Sequence, residues 1–344
     1  MRKAGEIFKI VFLLVGAVIG AGFLSGAELV AFFGTEGFLP FVVVSGLLFW
    51  AGFSTVFSGV NDGRELYLFN KKDTRSVFPV LFVCADYVFM VSMLAGMNGL
   101  SENYKILGGL PLFSAVSLAV AFFFSEKSKK GAEVINTVLM PAAIVFINVL
   151  IIRGDGLSVG GANPNPAAGA GKCALFALMN IFVSVPVAAA CAKDKKRSSL
   201  YIAAGISALI IAVQAAVILA AVRRSGNAAA LASLPLLFAL GTGGMSVIFC
   251  AALFIGMFTS FYSCYCPLAA KAGGRFGKKG ILVLVVFAFL FSLAGLDAII
   301  VYVYPLVGAI GAIYIFRLLY DRIIFRIKKH DLVDNNFISG NRRS

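Results

Sequence analysis

Two carboxylates lie inside apolar segments of the chain, where a charge is costly. Asp86 lies beside Tyr87 in FVCADYVFMVSMLAGMNG, and Glu28 lies in VGAVIGAGFLSGAELVAFFG. A central Asp costs about 2.5 to 3.5 kcal/mol on membrane-insertion scales, so such a side chain should face a bundle interior or water. Asp86 is therefore expected to bind a cation, carry a proton or pair with a neighbouring donor. Glu28 is expected either to gate the outer side of the protein or to brace a break in its helix.

The first apolar segment is also rich in glycine. Gly16 and Gly20, and Gly22 and Gly26, form two GxxxG pairs, a pattern typical of close helix packing. Gly20-Ala21-Gly22 also permits a short unwinding near mid-membrane. Backbone groups freed by unwinding are tolerated in a membrane only where they line a cavity. Packing and unwinding are both compatible with this spacing.

Two later segments carry polar groups at mid-depth. FALMNIFVSVPVAAACA contains Asn180, Ser184 and Pro186, which predict either an ordinary proline kink or a helix break that exposes backbone groups. GMFTSFYSCYC contains the adjacent hydroxyls of Thr259 and Ser260. These hydroxyls either bond back to their own helix or supply hard oxygen ligands for an alkali cation, as freed carbonyls do in transporters with broken helices.

The elements that must position these residues are membrane-spanning helices. Hydrophobic residues make up 60% of the 344 residues, charged residues only 13%, and mean hydropathy is +0.95, whereas a soluble domain carries about a quarter charged residues. Because a span needs about 20 apolar residues, the sequence predicts an all-α polytopic membrane protein. The ten expected spans are 7–33, 38–60, 76–99, 108–125, 134–152, 173–192, 199–222, 241–266, 280–295 and 298–320. The segment 231–240 is too short to cross and is expected to form a lid or re-entrant piece.

The basic residues predict the orientation. If both termini are cytoplasmic, all but five of the 30 Lys and Arg residues fall in cytoplasmic segments, as the positive-inside rule requires. The five are Lys105, Arg153, Lys172, Arg223 and Arg224. The net charge of +14 is thereby explained as a topology signal, so nucleic acid is not an expected partner and the lipid bilayer is. We expect the protein to lie in the bacterial cytoplasmic membrane, with both termini in the cytoplasm.

The Gly- and Pro-rich segment 153–172 divides the spans five and five. The expected units are a first repeat (1–152), this external loop, a second repeat (173–320) and a cytoplasmic tail (321–344). An odd number of spans in each half would place the halves in opposite orientations, so an inverted repeat is possible. Matching helix breaks in the first and sixth spans would then indicate a binding site near the midplane.

Several classes of site are excluded by the sequence. The one histidine, His330, lies in the expected tail, so no histidine-based catalysis is expected inside the membrane. No P-loop GxxxxGK[ST] occurs, and none of the six cysteines forms a CxxC pair. We therefore expect a protein that is not an enzyme and has no organic cofactor.

Five stretches together resemble the YkvI-type family of bacterial membrane proteins, which belongs with the LeuT-fold (amino acid–polyamine–organocation) transporters. They are GAVIGAGFLSGAE (16–28), MLAGMNGLSE (93–102), ALMNIFVSVPV (177–187), MFTSFYS (257–263) and YPLVGAIG (304–311). The resemblance implies a five-plus-five inverted repeat in which helices 1 and 6 are broken. It also implies a transporter that is often coupled to sodium.

The resemblance further implies two sets of site residues. A Na⁺ ion would be bound by the carbonyls of Gly16, Ile19 and Gly256 and the hydroxyls of Thr259 and Ser260. The substrate would be bound by Gly20, Ala21, Gly22, Asp86, Tyr87, Met90, Asn180 and Ser184. Phe23 stands where relatives with a second sodium site place a polar ligand, so a second site is not expected. The fifth span has no lysine of the kind that replaces sodium in some proton-coupled relatives.

The sequence thus predicts a secondary active transporter of a small solute, an amino acid or related amine, coupled to Na⁺ and working by alternating access. The alternative is a membrane sensor or receptor subunit on the same scaffold, which would bind a ligand without moving it. The sequence does not give the substrate, the direction of transport or the oligomeric state.

Overall fold

The computed structural model describes residues 2–62, 66, 77–103, 109–124, 165–193, 195–240 and 244–340, with six positions between 141 and 151. Its α-helices are α1 (Arg2–Val18), α2 (Ala21–Ser25), α3 (Ala27–Phe33), α4 (Leu39–Asn61), α5 (Phe78–Asn103), α6 (Leu112–Phe124) and α7 (Pro166–Ala192). They continue as α8 (Arg197–Arg224), α9 (Asn227–Ala230), α10 (Pro235–Ala239), α11 (Gly244–Ser292), α12 (Leu296–Ala298) and α13 (Tyr304–Gly340). A π-helix, Ile299–Val303, connects α12 to α13.

The described part of the chain confirms an all-helical membrane protein. Six of its helical stretches are long and apolar enough to cross a membrane: Leu39–Asn61, Phe78–Asn103, Pro166–Ala192, Arg197–Arg224, Ser246–Ser292 and Leu296–Ile324. Large apolar side chains such as Leu47 on α4 and Leu209 on α8 stay exposed on the outer faces, as helices surrounded by lipid require. The expected number of ten spans and the inverted repeat remain predictions, and most of the expected fifth span lies outside the described residues.

The first apolar segment forms three short helices instead of one. α1 ends at Val18, the chain is extended at Gly20, and α2 and α3 meet at Gly26. Gly26 has φ +84° and ψ −7°, a left-handed conformation that glycine adopts without a steric penalty. The predicted unwinding is therefore present, one residue before the centre of Gly20-Ala21-Gly22.

The prediction that the sixth span is broken is wrong. α7 runs without interruption from Pro166 to Ala192, although Pro186 lies inside it. The polar side chains are satisfied within the helix: Asn180 Nδ2 donates to the Phe176 carbonyl at 3.0 Å, and Ser184 Oγ donates to the Asn180 carbonyl at 2.7 Å. Pro186 costs the helix one backbone hydrogen bond, and in this helix the loss does not interrupt the chain.

Later spans are joined in ways that the apolar runs did not show. α11 covers both the eighth and the ninth expected spans, and the non-helical conformation of Gly277 (φ 63°, ψ −157°) bends it between them. The expected short segment 231–240 contains the five-residue helix α10, whose Leu236 and Leu237 are buried. α10 lies over the bend between α2 and α3, since a Cβ on Gly26 would come within 3.6 Å of the Leu236 backbone nitrogen.

Aromatic clusters hold these helices together. Phe176 on α7 contacts the rings of Phe23, Phe32, Phe33 and Phe49, with ring centroids 5.0 to 6.3 Å apart. These contacts fix α2, α3 and α4 against α7. In the second cluster Phe182 on α7 stacks on Phe82 of α5, and Tyr314 of α13 packs edge-on against both. The clusters therefore hold α7 as a central helix between the first apolar segment and α13.

Candidate functional site

The interruption between α1 and α2 changes the hydrogen bonding of the backbone. In a continuous helix the Ala21 N–H would donate to the Ala17 carbonyl, but here it donates to Met93 Sδ on α5, at 3.0 Å. Gly20 is extended, with φ −107° and ψ −165°, and a Cβ on this residue would collide with Met93 Cε. The break therefore leaves the Ala17 carbonyl without its helical donor and depends on glycine at position 20.

A cavity of about 610 Å³ lies beside this break. Its walls come from α1, α5, α7 and α11 and include Gly16, Ala17 and Gly20. Glu6 on α1 and Lys195 form an ion pair of 2.5 Å at the other end of the cavity, with side chains 34% and 38% exposed. Because residues 6 and 20 are about 20 Å apart along a helix, the cavity extends from the exposed start of α1 to the break.

The predicted substrate residues are divided between the cavity and the protein interior. Gly20, Asp86 and Pro186 line the cavity. Met90 is fully buried, and Tyr87 packs edge-on against Phe291 with ring centroids 6.5 Å apart. The remaining predicted residues do not line it in the described structure: Ala21 and Gly22 lie in α2, and Asn180 and Ser184 are buried in α7 with side chains bonded to their own helix.

The predicted cation ligands lie close to the break. Gly16 and Ser260 both line the cavity, and the buried Ser260 Oγ has no hydrogen-bond partner among the described residues. Thr259 Oγ1 donates to the Gly256 carbonyl at 2.9 Å. Gly256 packs against α2, since a Cβ on it would come 2.7 Å from Leu24 Cδ1. Ile19 is fully buried at the end of α1. Gly16 on α1 and Ser260 on α11 thus bring oxygen atoms from two elements to one cavity, and hard oxygen ligands suit an alkali or alkaline-earth cation better than a transition metal.

Transition-metal binding has no support in the part of the chain that the structure describes. Within it, no group of three or more His, Cys, Asp and Glu side chains comes together. None of the described cysteines forms a disulfide.

Asp86 faces a cation that the sequence did not assign to the site. Lys271 on α11 lines the same cavity and attracts the Asp86 carboxylate electrostatically. The basic residues between the eighth and ninth spans indicated topology only, so this partner was missed. One signal was available: Ser260, Cys264, Pro267 and Lys271 recur at intervals of three or four residues, which places them on one face of a helix. Met93 was missed too, although it lies seven residues after Asp86 on the same helical face.

The comparisons with known proteins support a membrane protein. No protein-family model matches the sequence. A segment of 161 residues is 26% identical to the uncharacterized membrane protein YkvI of Bacillus subtilis (strain 168). The chain is similar to a YkvI-type membrane protein. The matching segment covers 44% of this chain and 45% of that protein, so the chain spans less than half the length of the relative it matches. The resemblance expected from the sequence is thereby confirmed, and it carries no activity or substrate with it.

Proposed function

We propose that the protein is a secondary active transporter of a small amino acid or related amine, coupled to Na⁺ and working by alternating access in the bacterial cytoplasmic membrane. Transport of this kind involves no bond making or breaking. The proposal includes no cofactor other than bound Na⁺, and its partners are the solute and the lipid bilayer. Both termini are proposed to be cytoplasmic.

The observation that carries the proposal is a helix interrupted where a cavity ends. The break at Gly20 frees polar backbone, and the cavity beside it reaches the exposed Glu6–Lys195 pair. Irregular backbone at membrane depth is tolerated where it lines a cavity, and transporters use such breaks to bind their solutes and ions. The cavity is large enough for a small solute, since ligand pockets commonly measure about 300 to 1,000 Å³.

The charge in the cavity fits a zwitterionic or amine solute. Asp86 can bind an ammonium group, and Lys271 can bind a carboxylate. The apolar wall formed by Phe89, Val183 and Val187 would accommodate a short side chain. Na⁺ would be bound by the Gly16, Ile19 and Gly256 carbonyls with the Thr259 and Ser260 hydroxyls.

The test is uptake into proteoliposomes. Amino acids and amines first screened by thermal shift, with and without Na⁺, are offered under an imposed Na⁺ gradient. Thr259→Ala with Ser260→Ala should abolish the dependence on Na⁺, because two of the proposed ligands are removed. Ser45→Ala is the matched control: Ser45 is also a buried serine bonded to its own helix, but it does not line the cavity, so its uptake should match that of the wild type.

Two outcomes would contradict the proposal. If the uptake of every tested solute is independent of both the Na⁺ gradient and the proton gradient, the proposed coupling is refuted. Specific binding without any flux would favour the alternative, a sensor or receptor subunit.

A further inference from the structure

Glu28 does not line the cavity and is almost fully buried. It lies in the first turn of α3, is 1% exposed, and neither carboxyl oxygen accepts a hydrogen bond from the described residues. Burying an ionised carboxylate without a partner costs far more than a fold can offset, so such a group is neutralised. Either a proton or a bound cation must therefore accompany it.

The space around Glu28 is closed by backbone. A Cβ on Gly22 would lie 2.5 Å from both Cγ and Oε1 of Glu28, so the carboxyl group rests directly on the α2 backbone. Tyr304, the first residue of α13, contacts it from the opposite helix and is itself fully buried. This packing leaves little room for the several oxygen ligands that an alkali cation needs.

The hydrogen bonds of Tyr304 decide whether a proton or a cation accompanies Glu28. A hydroxyl group has one proton to donate. The Ser92 hydroxyl donates its proton to the Phe89 carbonyl at 2.8 Å, and the Tyr304 hydroxyl donates its own to Ser92 Oγ at 2.7 Å. The Tyr304 oxygen can then only accept, so a hydrogen bond between Glu28 and Tyr304 requires the proton to be on Glu28.

The position of Tyr304 depends on an unusual element. It directly follows the π-helix Ile299–Val303, and that π-helix packs against α3. Single π-helical turns inside helices are rare and are often found at functional sites. The extra residue in this turn changes the direction in which Tyr304 points relative to a regular helix.

We infer that Glu28, Tyr304 and Ser92 form a proton-binding site, in which the carboxyl group of Glu28 holds a proton and donates it to the Tyr304 oxygen. Tyr304 is the titratable group that contacts Glu28 in the described structure. From the other helices packed on α3, Lys172 on α7 reaches the Ala31 carbonyl, farther along α3. On α2 the backbone of Gly22 lies against Glu28, and Ile218 of α8 and Leu236 of α10 lie beside Gly26, two residues earlier in the chain.

The site has a connection to the cavity. Cys264 lines the cavity and also interacts electrostatically with Tyr304. Tyr304 is therefore near both a residue of the cavity wall and Glu28. A proton from water in the cavity would reach the carboxyl group by way of this region, and it would return to water when the site opens.

One consequence rests on the proposed function. Loss of the proton would leave a buried carboxylate, which is stable only if α3 moves from α13 and admits water. The protonation state of Glu28 would then bias the outer half of the broken helix between closed and open arrangements. The proton would thus act as a second coupling ion in addition to Na⁺. Protonation itself does not depend on transport and is tested without measuring flux.

The test is infrared spectroscopy of the purified full-length protein. At neutral pH the wild type should show the C=O band of a protonated carboxyl group in a dry environment. The band should shift when the protein is made with isotopically labelled glutamate. Glu28→Gln should remove it, and Tyr304→Phe should keep it but move it to higher wavenumber, because the acceptor is lost. Glu102→Gln, at an exposed site on α5, is the matched control and should leave the band unchanged.

Three results would overturn the inference. One is a wild-type spectrum without such a band, and another is a band that survives in Glu28→Gln. The third is a band that disappears when Na⁺ is added at constant pH, which would make Glu28 a cation site. If Glu28→Gln does not fold, the Tyr304→Phe spectrum decides, since a band at an unchanged wavenumber contradicts the proposed hydrogen bond. A positive result would stand even if no transport were found.

Discussion

Gly20 is the residue at which the backbone of the first span meets α5. Its extended conformation, φ −107°, is open to any residue, so backbone strain does not explain the need for glycine. The reason is space: Met93 Cε occupies the position of a Cβ while Met93 Sδ accepts from the Ala21 N–H. Met93 could move aside only by giving up that hydrogen bond.

Gly20→Ala is therefore expected to lower stability. Overpacking a filled site costs about 1 to 3 kcal/mol, and the Ala21 N–H would also lose its acceptor. Thermal unfolding of the purified variant should show a clearly reduced midpoint. Gly171→Ala on α7, where a Cβ meets nothing within 4 Å, is the control and should unfold at the wild-type temperature or slightly above. Equal midpoints for both variants would contradict the role of Met93.

Gly22 and Glu28 should behave as a coupled pair. A Cβ on Gly22 would overlap the Glu28 carboxyl group, so Gly22→Ala alone is expected to destabilise the protein. Glu28→Ala removes the group that is in the way, and the combined variant should cost less than the sum of the two. Contacting residues commonly show a coupling of about 0.5 to 3 kcal/mol. Strictly additive losses in thermal unfolding would show that the two groups do not touch.

The sequence predicted the glycines and Glu28 as residues of interest, but not the residues that contact them. Glycine spacing indicated where the backbone could open, because glycine adopts a left-handed conformation without a steric penalty, as at Gly26, and permits close packing, as at Gly20. It did not indicate Met93 or Tyr304, because a methionine or a tyrosine in an apolar run is ordinary packing until the partner across the helix is known. Glu28 was noticed as a buried charge, but its neighbours come from residues 22 and 304, which no local pattern connects.

At the scale of elements, two segments whose sequences both suggested a helix break behave differently. α1 and α2 separate because the freed Ala21 N–H finds an acceptor on another helix. α7 stays continuous because its polar side chains bond to carbonyls one turn earlier and need no external partner. A break therefore depends on the tertiary partner as much as on local propensity, which is why the sequence predicted one correctly and the other wrongly.

The pairing of α5 with α11 through Asp86 and Lys271 leads to a prediction on ion affinity. Asp86→Asn would leave the positive charge of Lys271 in the cavity without its nearby carboxylate. A partly exposed charge pair contributes up to about 1 kcal/mol, so the Na⁺ concentration for half-maximal uptake should rise about fivefold or less. Asp62→Asn removes a carboxylate paired with Arg197 at 3.8 Å, outside the cavity, and should leave that concentration unchanged. Identical values for the two variants would make the Asp86–Lys271 pair purely structural.

At the scale of the whole molecule, the two ends of the described structure differ in exposure. At one end the cavity is lined by the partly exposed Glu6 and Lys195 and by Lys9, which the predicted topology assigns to the cytoplasm. At the opposite end Arg223 of α8 forms two bonds to Glu36, at 3.0 and 3.2 Å, and α10 covers the bend at Gly26. If the protein is the transporter proposed above, this arrangement is its inward-facing state.

The native cysteines can test this orientation. Cys191 lines the cavity, whereas Cys173 is fully buried and donates to the Phe41 carbonyl. In variants that retain one cysteine, a membrane-impermeant thiol reagent should label Cys191 in inside-out vesicles and not in right-side-out ones. Cys173 should stay unlabelled in both. Labelling of Cys191 from the outer side would reverse the predicted topology.

The same reagent can measure whether the far end of the molecule opens. If the Arg223–Glu36 pair stabilises the inward-facing arrangement, Glu36→Gln should shift the population toward the outward-facing one, in which the cavity is closed to the cytoplasm. The two side chains are 19% and 51% exposed, and a pair of this kind contributes up to about 1 kcal/mol. Labelling of Cys191 in inside-out vesicles should therefore slow by up to about fivefold. Glu102→Gln, an unrelated exposed carboxylate at the end of α5, should not change the rate. An unchanged rate in Glu36→Gln as well would mean that the pair does not hold the outer side closed, and that closure there rests on the packing of α10 against Gly26.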